Sequence, residues 1–423
     1  MSTLSLPIES DIQPALTFVA RQPILDETGR VFGYELLYRD NETDTACVMD
    51  SDAASARVLT DTILSIGFDT LTDGRKGFMN VSRNLLINEA ASLAPKHSSV
   101  LELLETVTAD PEVIDACRTL KSGGHTLALD DFVPMSGADL LLPYVKVVKV
   151  DVLTTSPETR AAIARRLLPR GIKMLAEKVE TVEMFDATRA DGYSLFQGYF
   201  FCKPKTLTGA ALPSSRMMHL QILAAINQPD LTVMAAEEIV KHEASLTYRL
   251  LRCVNSAASG LHQEIHSIRQ AILLLGVDRI RKWASVWAMA GLNGRGCSEV
   301  VTIAVLRARC CELVGNAIGE GAGGELFLLG LCSLLDTMLG RPLSTVVEGL
   351  PLSADTRGAL LGDDNLSRRV LDAVIMHERG AWDRAQEAAD RAGISPGDLA
   401  VAHAEAIRWG RQLSQSGLAT AAA

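Results

Sequence analysis

The sequence predicts an α/β fold followed by an all-α one: a closed β/α barrel over the first half of the chain, then a helical bundle. Three observations lead there. The chain has 423 residues, too many for one ordinary hydrophobic core. Its first half alternates short β-rich runs with amphipathic stretches, the pattern of parallel strands with helices outside. In its second half the strand signals vanish and helical spacing takes over.

The strand candidates, in order, are "FVARQPIL", "VFGYELLYR", "KGFMNVS", "SVLELLE", "TLALDDF", "VKVVKVD", "IKMLAEKV" and "SLFQGYFF". Helix-like segments such as "DAASARVLTDTILSIG", "DPEVIDACRTLKSG", "PETRAAIARRLLPRG" and "TVEMFDATRADG" lie between them. About eight strands in roughly 200 residues suggest barrel closure. The Pro, Thr, Gly and Ser content of "CKPKTLTGAALPSS" reads as a linker. Beyond it, "MMHLQILAAIN", "MAAEEIVKHE", "ASLTYRLLRCVN", "SIRQAILLLG" and "RIRKWASVWAMAG" carry the helical period. Ser267 and Gln270 form a capping-box pattern, and Gly276 suits the end of that helix. The expected organisation is a barrel over 18–205, a linker over 206–214, a helical domain over 215–410 and a flexible tail over 411–423. The tail sequence "QLSQSGLATAAA" lacks an apolar face long enough to pack.

Composition narrows the function. Lys and Arg number 41 against 51 Asp and Glu, a net charge of −10, which argues against a sequence-independent nucleic-acid binder. A small phosphorylated ligand held by a local cluster remains compatible. The eight cysteines are scattered without a CxxC pair, so they read as reduced, buried small hydrophobes and not as a zinc site. The stretch "MSTLSLPIESDIQP" has no basic start followed by an apolar block, and no apolar run approaches the roughly 20 residues that span a bilayer. The expectation is a soluble, cytoplasmic protein without membrane partners.

Polar residues recur where the strand candidates end: Glu35, Asn80, Glu102 and Glu105, Asp130 and Asp131, Lys149 and Asp151, Glu177, and Gln197. In a parallel barrel, functional groups collect there. Lys149 and Asp151 share a face with Val147, and Glu102 with Val100. Asp130 and Asp131 would point oppositely in a regular strand, and converge only if the strand bends into its loop. Carboxylates with one amide oxygen, and no His or Cys, form a hard-oxygen site suited to Mg²⁺, Mn²⁺ or Ca²⁺. Two such ions could activate water for attack on a phosphoryl group. Lys149 could lower the pKa of that water, balance phosphate charge, or simply pair with Asp151. Arg39 could grip a phosphate through its planar fork.

These motifs resemble the EAL family of cyclic di-GMP phosphodiesterases, from about Phe18 to Pro204. "RQPILDETGRVFGYELLYR", "FMNVS", "LELLE", "LDDF", "VKVD", "AEKVE" and "QGYFFCKP" follow in the family's order. The resemblance implies a TIM-like barrel that hydrolyses one phosphodiester bond of cyclic di-GMP with Mg²⁺ or Mn²⁺. By position, Glu35, Asn80, Glu102 and Asp130 match metal ligands, and Asp131 a ligand of the second metal. Lys149 and Glu177 match residues that handle the attacking water. Leu37, Arg39 and Gln197 match substrate-holding positions, and Glu105 the acid that braces the following loop. Two departures stand out. Val133 and Pro134 replace small residues in that loop, and Pro fixes φ and removes an N–H. Lys178 replaces a usual Gly, so a positive φ there would be strained.

The second half resembles the HDOD domain from about Leu212 to His403, through "LTVMAAEEIVKHEASLTYRLLRCVNSA", "IHSIRQAILLLGVDRIRKW" and "ELFLLGLCSLLD". That domain is similar in fold to metal-dependent HD phosphohydrolases, whose His-Asp pair falls here at Ser333 and Leu334. Neither can ligate a metal as His and Asp do. His242, His262, His266, His377 and His403 show no ligand spacing, so no cofactor is expected in this half. The resemblance implies a module for protein partners or regulation, with Trp283, Trp287 and Met289 as either contact surface or core. Two functional readings remain: a phosphodiesterase, with activity weakened by its altered loop, and a silent cyclic di-GMP receptor or scaffold.

Overall fold

The structure, a computed structural model, describes residues 18–39, 67–134, 137–202, 213–255, 265, 267–294, 296–319 and 323–415. Eight strands close into a barrel: β1 (Phe18–Asp26), β2 (Val31–Arg39), β3 (Lys76–Val81), β4 (Ser99–Leu103), β5 (Thr126–Leu129), β6 (Val147–Asp151), β7 (Lys173–Glu177) and β8 (Leu195–Gln197). Pairs from β2 to β8 are parallel. The all-parallel expectation fails for β1, which runs antiparallel to both β2 and β8. Its cause is local. Asp26 Oδ1 accepts from the backbone N–H groups of Thr28 and Arg30, and Asp26 N donates to Arg30 O at 2.8 Å. This tight turn reverses the chain with no room for a crossover helix.

The helices between later strands start as their sequences dictate. Asp110, Ser156 and Thr181 each cap a helix by accepting from an N–H three residues on, and Pro111 and Pro157 fill the first turn. The barrel interior is plugged by one apolar layer: Ile24, Phe78, Val100, Ala128, Val147, Leu175 and Leu195. A second core lies between the strands and the surrounding helices. The predicted helix at "DAASARVLTDTILSIG", and most of the linker, lie outside the described residues.

From Ser214 to Gln415 the described elements are all helical. Ser267 Oγ accepts from Gln270 N at 3.1 Å and starts the helix Ile268–Leu275, as the capping pattern predicts. Trp287 and Met289 are buried in the core of this domain and Trp283 packs against it, so they are not a free surface. The expected tail needs correction: helix Pro396–Gln415 carries on past residue 410. There Leu413 is buried, and Arg411 Nη1 donates to Thr70 Oγ1 at 2.7 Å. Six described cysteines are free thiols; Cys47 lies outside the described residues, as does the Cys253 side chain. No helix among the described residues is long and apolar enough to cross a membrane.

The two domains pack along the β1–β2 hairpin. Leu306 and Ile407 of the helical domain join the outer core of the barrel. The Tyr34 hydroxyl on β2 donates to Glu299 Oε2 at 3.1 Å, and Cys297 Sγ contacts Gly29 O at 3.3 Å. Helices of the second domain thus cover strands that their own tight connection leaves without a crossover helix.

Candidate active site

Six of the inward polar residues stand two positions beyond a residue of the apolar plug. Asn80 follows Phe78, Glu102 follows Val100, Asp130 follows Ala128, Lys149 follows Val147, Glu177 follows Leu175, and Gln197 follows Leu195. The two-residue period of a strand therefore stacks a polar layer directly on the apolar one. β1 runs the other way, so Gln22, two residues before Ile24, reaches the same layer and pairs in register with Glu35.

At the centre is Lys149, whose side chain is fully buried. Its Nζ lies 2.9 Å from Glu102 Oε1, Asp130 Oδ1 and Glu177 Oε1, and 3.4 Å from Glu35 Oε1. The ammonium is thus ion-paired at close range with three acids and hydrogen-bonded to Glu35. Burial alone would lower the Lys149 pKa, but the field of Glu102, Glu35, Glu177 and Asp130 holds it well above the usual lysine range. The acids outnumber their cation. Burial pushes the Glu102 carboxyl well above its ordinary range and Glu177 up to about 8. Gln197 Nε2 donates to Glu35 Oε2, and also to Gln22 Oε1 at 2.9 Å.

Asp131 and Lys178 answer the question posed by the acidic pair. β5 ends at Leu129, yet Asp130 N still donates to Leu103 O and Phe132 N to Lys149 O. Between them Asp131 takes φ 39°, which swings its side chain away from the outer face that alternation predicts. Lys178, one residue past the end of β7, takes φ 56°. The strain expected of a non-glycine residue there is present, and the side chain has a partner: Nζ donates to Asp151 Oδ2 at 2.6 Å. Asp151 therefore pairs with Lys178, and not with Lys149 as one sequence reading had it. Burial raises the Asp131 pKa, opposed by the Lys178 charge, with Asp130, Asp151 and Glu105 adding to the rise.

The structure brings Glu35, Asn80, Glu102, Asp130, Asp131, Lys149, Glu177 and Gln197 to one mouth. Glu105 is exposed in the turn after β4, close enough to act electrostatically on Asp131. Leu37 is half-buried at the rim. Arg39 ends β2, and its side chain lies outside the described residues, as do Met135 and Ser136 of the loop beyond Pro134. Sequence reasoning missed Gln22, because a parallel β1 would have presented its other end to the mouth. It also missed the Lys178 tether, which needs a contact between two strand ends.

A hard cation fits the donors present. Asn80 Oδ1, Glu102 Oε2, Asp131 Oδ1, Glu177 Oε2 and Gln197 Oε1 are buried and accept no hydrogen bond. Buried oxygens of this kind call for a donor or a cation. Among the described residues no three His, Cys, Asp or Glu side chains stand spaced as a finished cage. Lys149 occupies the middle of the acidic ring, and cations would draw on the oxygens that it leaves free.

Residues 16–204 match the EAL domain, and residues 212–336 match the HDOD domain. An uncharacterized protein of Bacillus subtilis (strain 168), YuxH, is 34% identical over 401 residues, 93% of this chain and 97% of that one. CdgJ of Vibrio cholerae serotype O1, named a cyclic di-GMP phosphodiesterase, is 31% identical over 403 residues, 94% of this chain and 93% of its own. Among solved structures, an EAL domain protein from Listeria monocytogenes EGD-e is 19% identical, covers 44% of this chain and 87% of its own, and has a TM-score of 0.36. Klebsiella pneumoniae BlrP1, as a calcium and cyclic di-GMP complex, is 21% identical, covers 47% and 58%, and has a TM-score of 0.39.

Proposed function

This chain belongs to the family in which an EAL domain is followed by an HDOD domain, and from that premise we propose that it binds cyclic di-GMP and hydrolyses one of its phosphodiester bonds. The observation that carries the reading is the buried ring of acids on Lys149, with unsatisfied oxygens from Asn80, Glu102, Asp131 and Glu177 around it. The name borne by CdgJ, a relative along nearly its whole length, supports the same reading.

By their family positions Glu35, Asn80, Glu102 and Asp130 would hold one divalent cation, Mg²⁺ or Mn²⁺, and Asp131 would help to hold a second. When bound, such ions polarise a phosphoryl oxygen and lower the pKa of a water. Lys149, kept protonated, positions the acids and by its charge lowers the pKa of the attacking water, and Glu177 in its carboxylate form takes the proton. Leu37, Arg39 and Gln197 hold the nucleotide, and Glu105 steadies the loop after Asp131. The helical domain receives or transmits the signal through protein partners, and the chain works in the cytoplasm.

The test is direct. Purified protein with cyclic di-GMP and Mg²⁺ or Mn²⁺ is expected to yield a linear dinucleotide on chromatography, and Glu35→Ala to abolish it. A second reading, a receptor without turnover, is favoured by two features: Lys178 beside Asp151 and Asp131, and the Val133–Pro134 loop. Binding without product from the unmodified chain would establish that reading instead.

A further inference from the structure

The helical domain touches the barrel mouth as well as its flank. Helix Leu366–Glu378 ends in a turn at Arg379 and Gly380, before helix Trp382–Ala392. The Arg379 carbonyl accepts from Gln22 Nε2 at 2.8 Å. Gln22 in turn accepts from Gln197, which donates to Glu35, the most distant acid on Lys149. One unbroken polar chain thus runs from the second domain into the centre of the site. Gly380 lies over Leu37: a Cβ on it would come within 2.6 Å of Leu37 Cδ1, and its φ of 67° favours glycine.

The turn is held firmly. Its neighbour Glu378 receives two bonds from the buried Arg307, at 3.1 and 2.9 Å, and Arg307 also reaches Ser333 Oγ at 2.8 Å. The Arg379 guanidinium is exposed and stacks over the Tyr199 ring, 4.6 Å from its centroid. Tyr199 stands two residues beyond Gln197. A mouth this rich in acids repels a dinucleotide carrying two phosphates, and an exposed, pre-oriented guanidinium at its rim offsets that repulsion.

We propose that the Arg379–Gly380 turn is a wall of the nucleotide site, so that Arg379 contacts the bound anionic dinucleotide and links occupancy of the barrel to the position of the helical domain. This rests on the nucleotide reading above. The test uses the full chain and a slowly hydrolysed phosphorothioate analogue of cyclic di-GMP. Arg379→Ala is expected to weaken binding about tenfold, the loss of one charge-assisted contact, and Arg379→Lys by less. Because Arg379 is exposed, the thermal midpoint should hold. In the unmodified chain, amide exchange across 376–382 should slow when the analogue binds. Affinity of Arg379→Ala within twofold of the unmodified chain, with exchange unchanged, overturns the proposal and leaves the nucleotide reading intact. No binding by the unmodified chain removes both.

Discussion

Lys149 and Lys178 divide the work of charge compensation at the barrel mouth. Lys149 is buried and locked among acids, so it orders the ring. Lys178 is half-exposed, sits in a strained backbone conformation, and tethers Asp151 beside Asp131. Its ammonium therefore competes with any cation that Asp131 helps to hold. Lys178→Gly relieves the positive φ, worth about 1 kcal/mol, and gives up a partly exposed ion pair of about the same or smaller worth. Stability should hardly move, whereas Mn²⁺ affinity should rise several-fold by calorimetry. Equal Mn²⁺ affinity in both proteins would mean that Lys178 does not oppose the second cation.

At the scale of elements, the ends of strands decide more than their middles. β8 is only three residues long, and Gln197 is its last. What fixes it is a close crossing with the end of β7: Val179 N donates to Gln197 O at 2.9 Å, and Phe200 N to Val179 O at 3.2 Å. Gly198 lies between them at φ 146°, and a Cβ there would stand 2.1 Å from Val179 O. The obstacle is backbone, which cannot rotate away. Gly198→Ala is expected to cost at least about 2 kcal/mol in urea unfolding and to weaken nucleotide binding by displacing Gln197. An unchanged urea midpoint would refute this account of the crossing.

Across the whole molecule, the domain interface contains an acid with a displaced pKa. Burial pushes Glu299 up to about 7, against the opposing charge of Arg21 and the Tyr34 hydrogen bond. A carboxyl whose folded pKa exceeds its unfolded value near 4.5 lends stability that is full below pH 4.5 and is lost as pH rises through 7. A shift of this size corresponds to roughly 3 kcal/mol between those limits. Glu299→Gln should therefore flatten the pH dependence of the unfolding midpoint between pH 5 and 8. The variant should gain on the parent at pH 8 more than at pH 5. Parallel profiles would place the ionisation elsewhere.

The sequence by itself determined the eight strands, the switch to helices after the linker, and the acids at strand ends. Those properties are written in local periodicity: an apolar plug residue, then a polar one two positions on, repeats from strand to strand. That β1 runs antiparallel was legible too, in the "DETGR" connection, which is too short for the crossover that a parallel pair needs. The sequence could not pair Lys178 with Asp151, separate Lys149 from Asp151, or place Arg379 over Leu37 and Gln22. Each of these joins residues far apart in the chain, through backbone turns and domain packing that no local pattern encodes. Tertiary structure decided them because a charge buried in the core takes whichever partner the fold brings within reach.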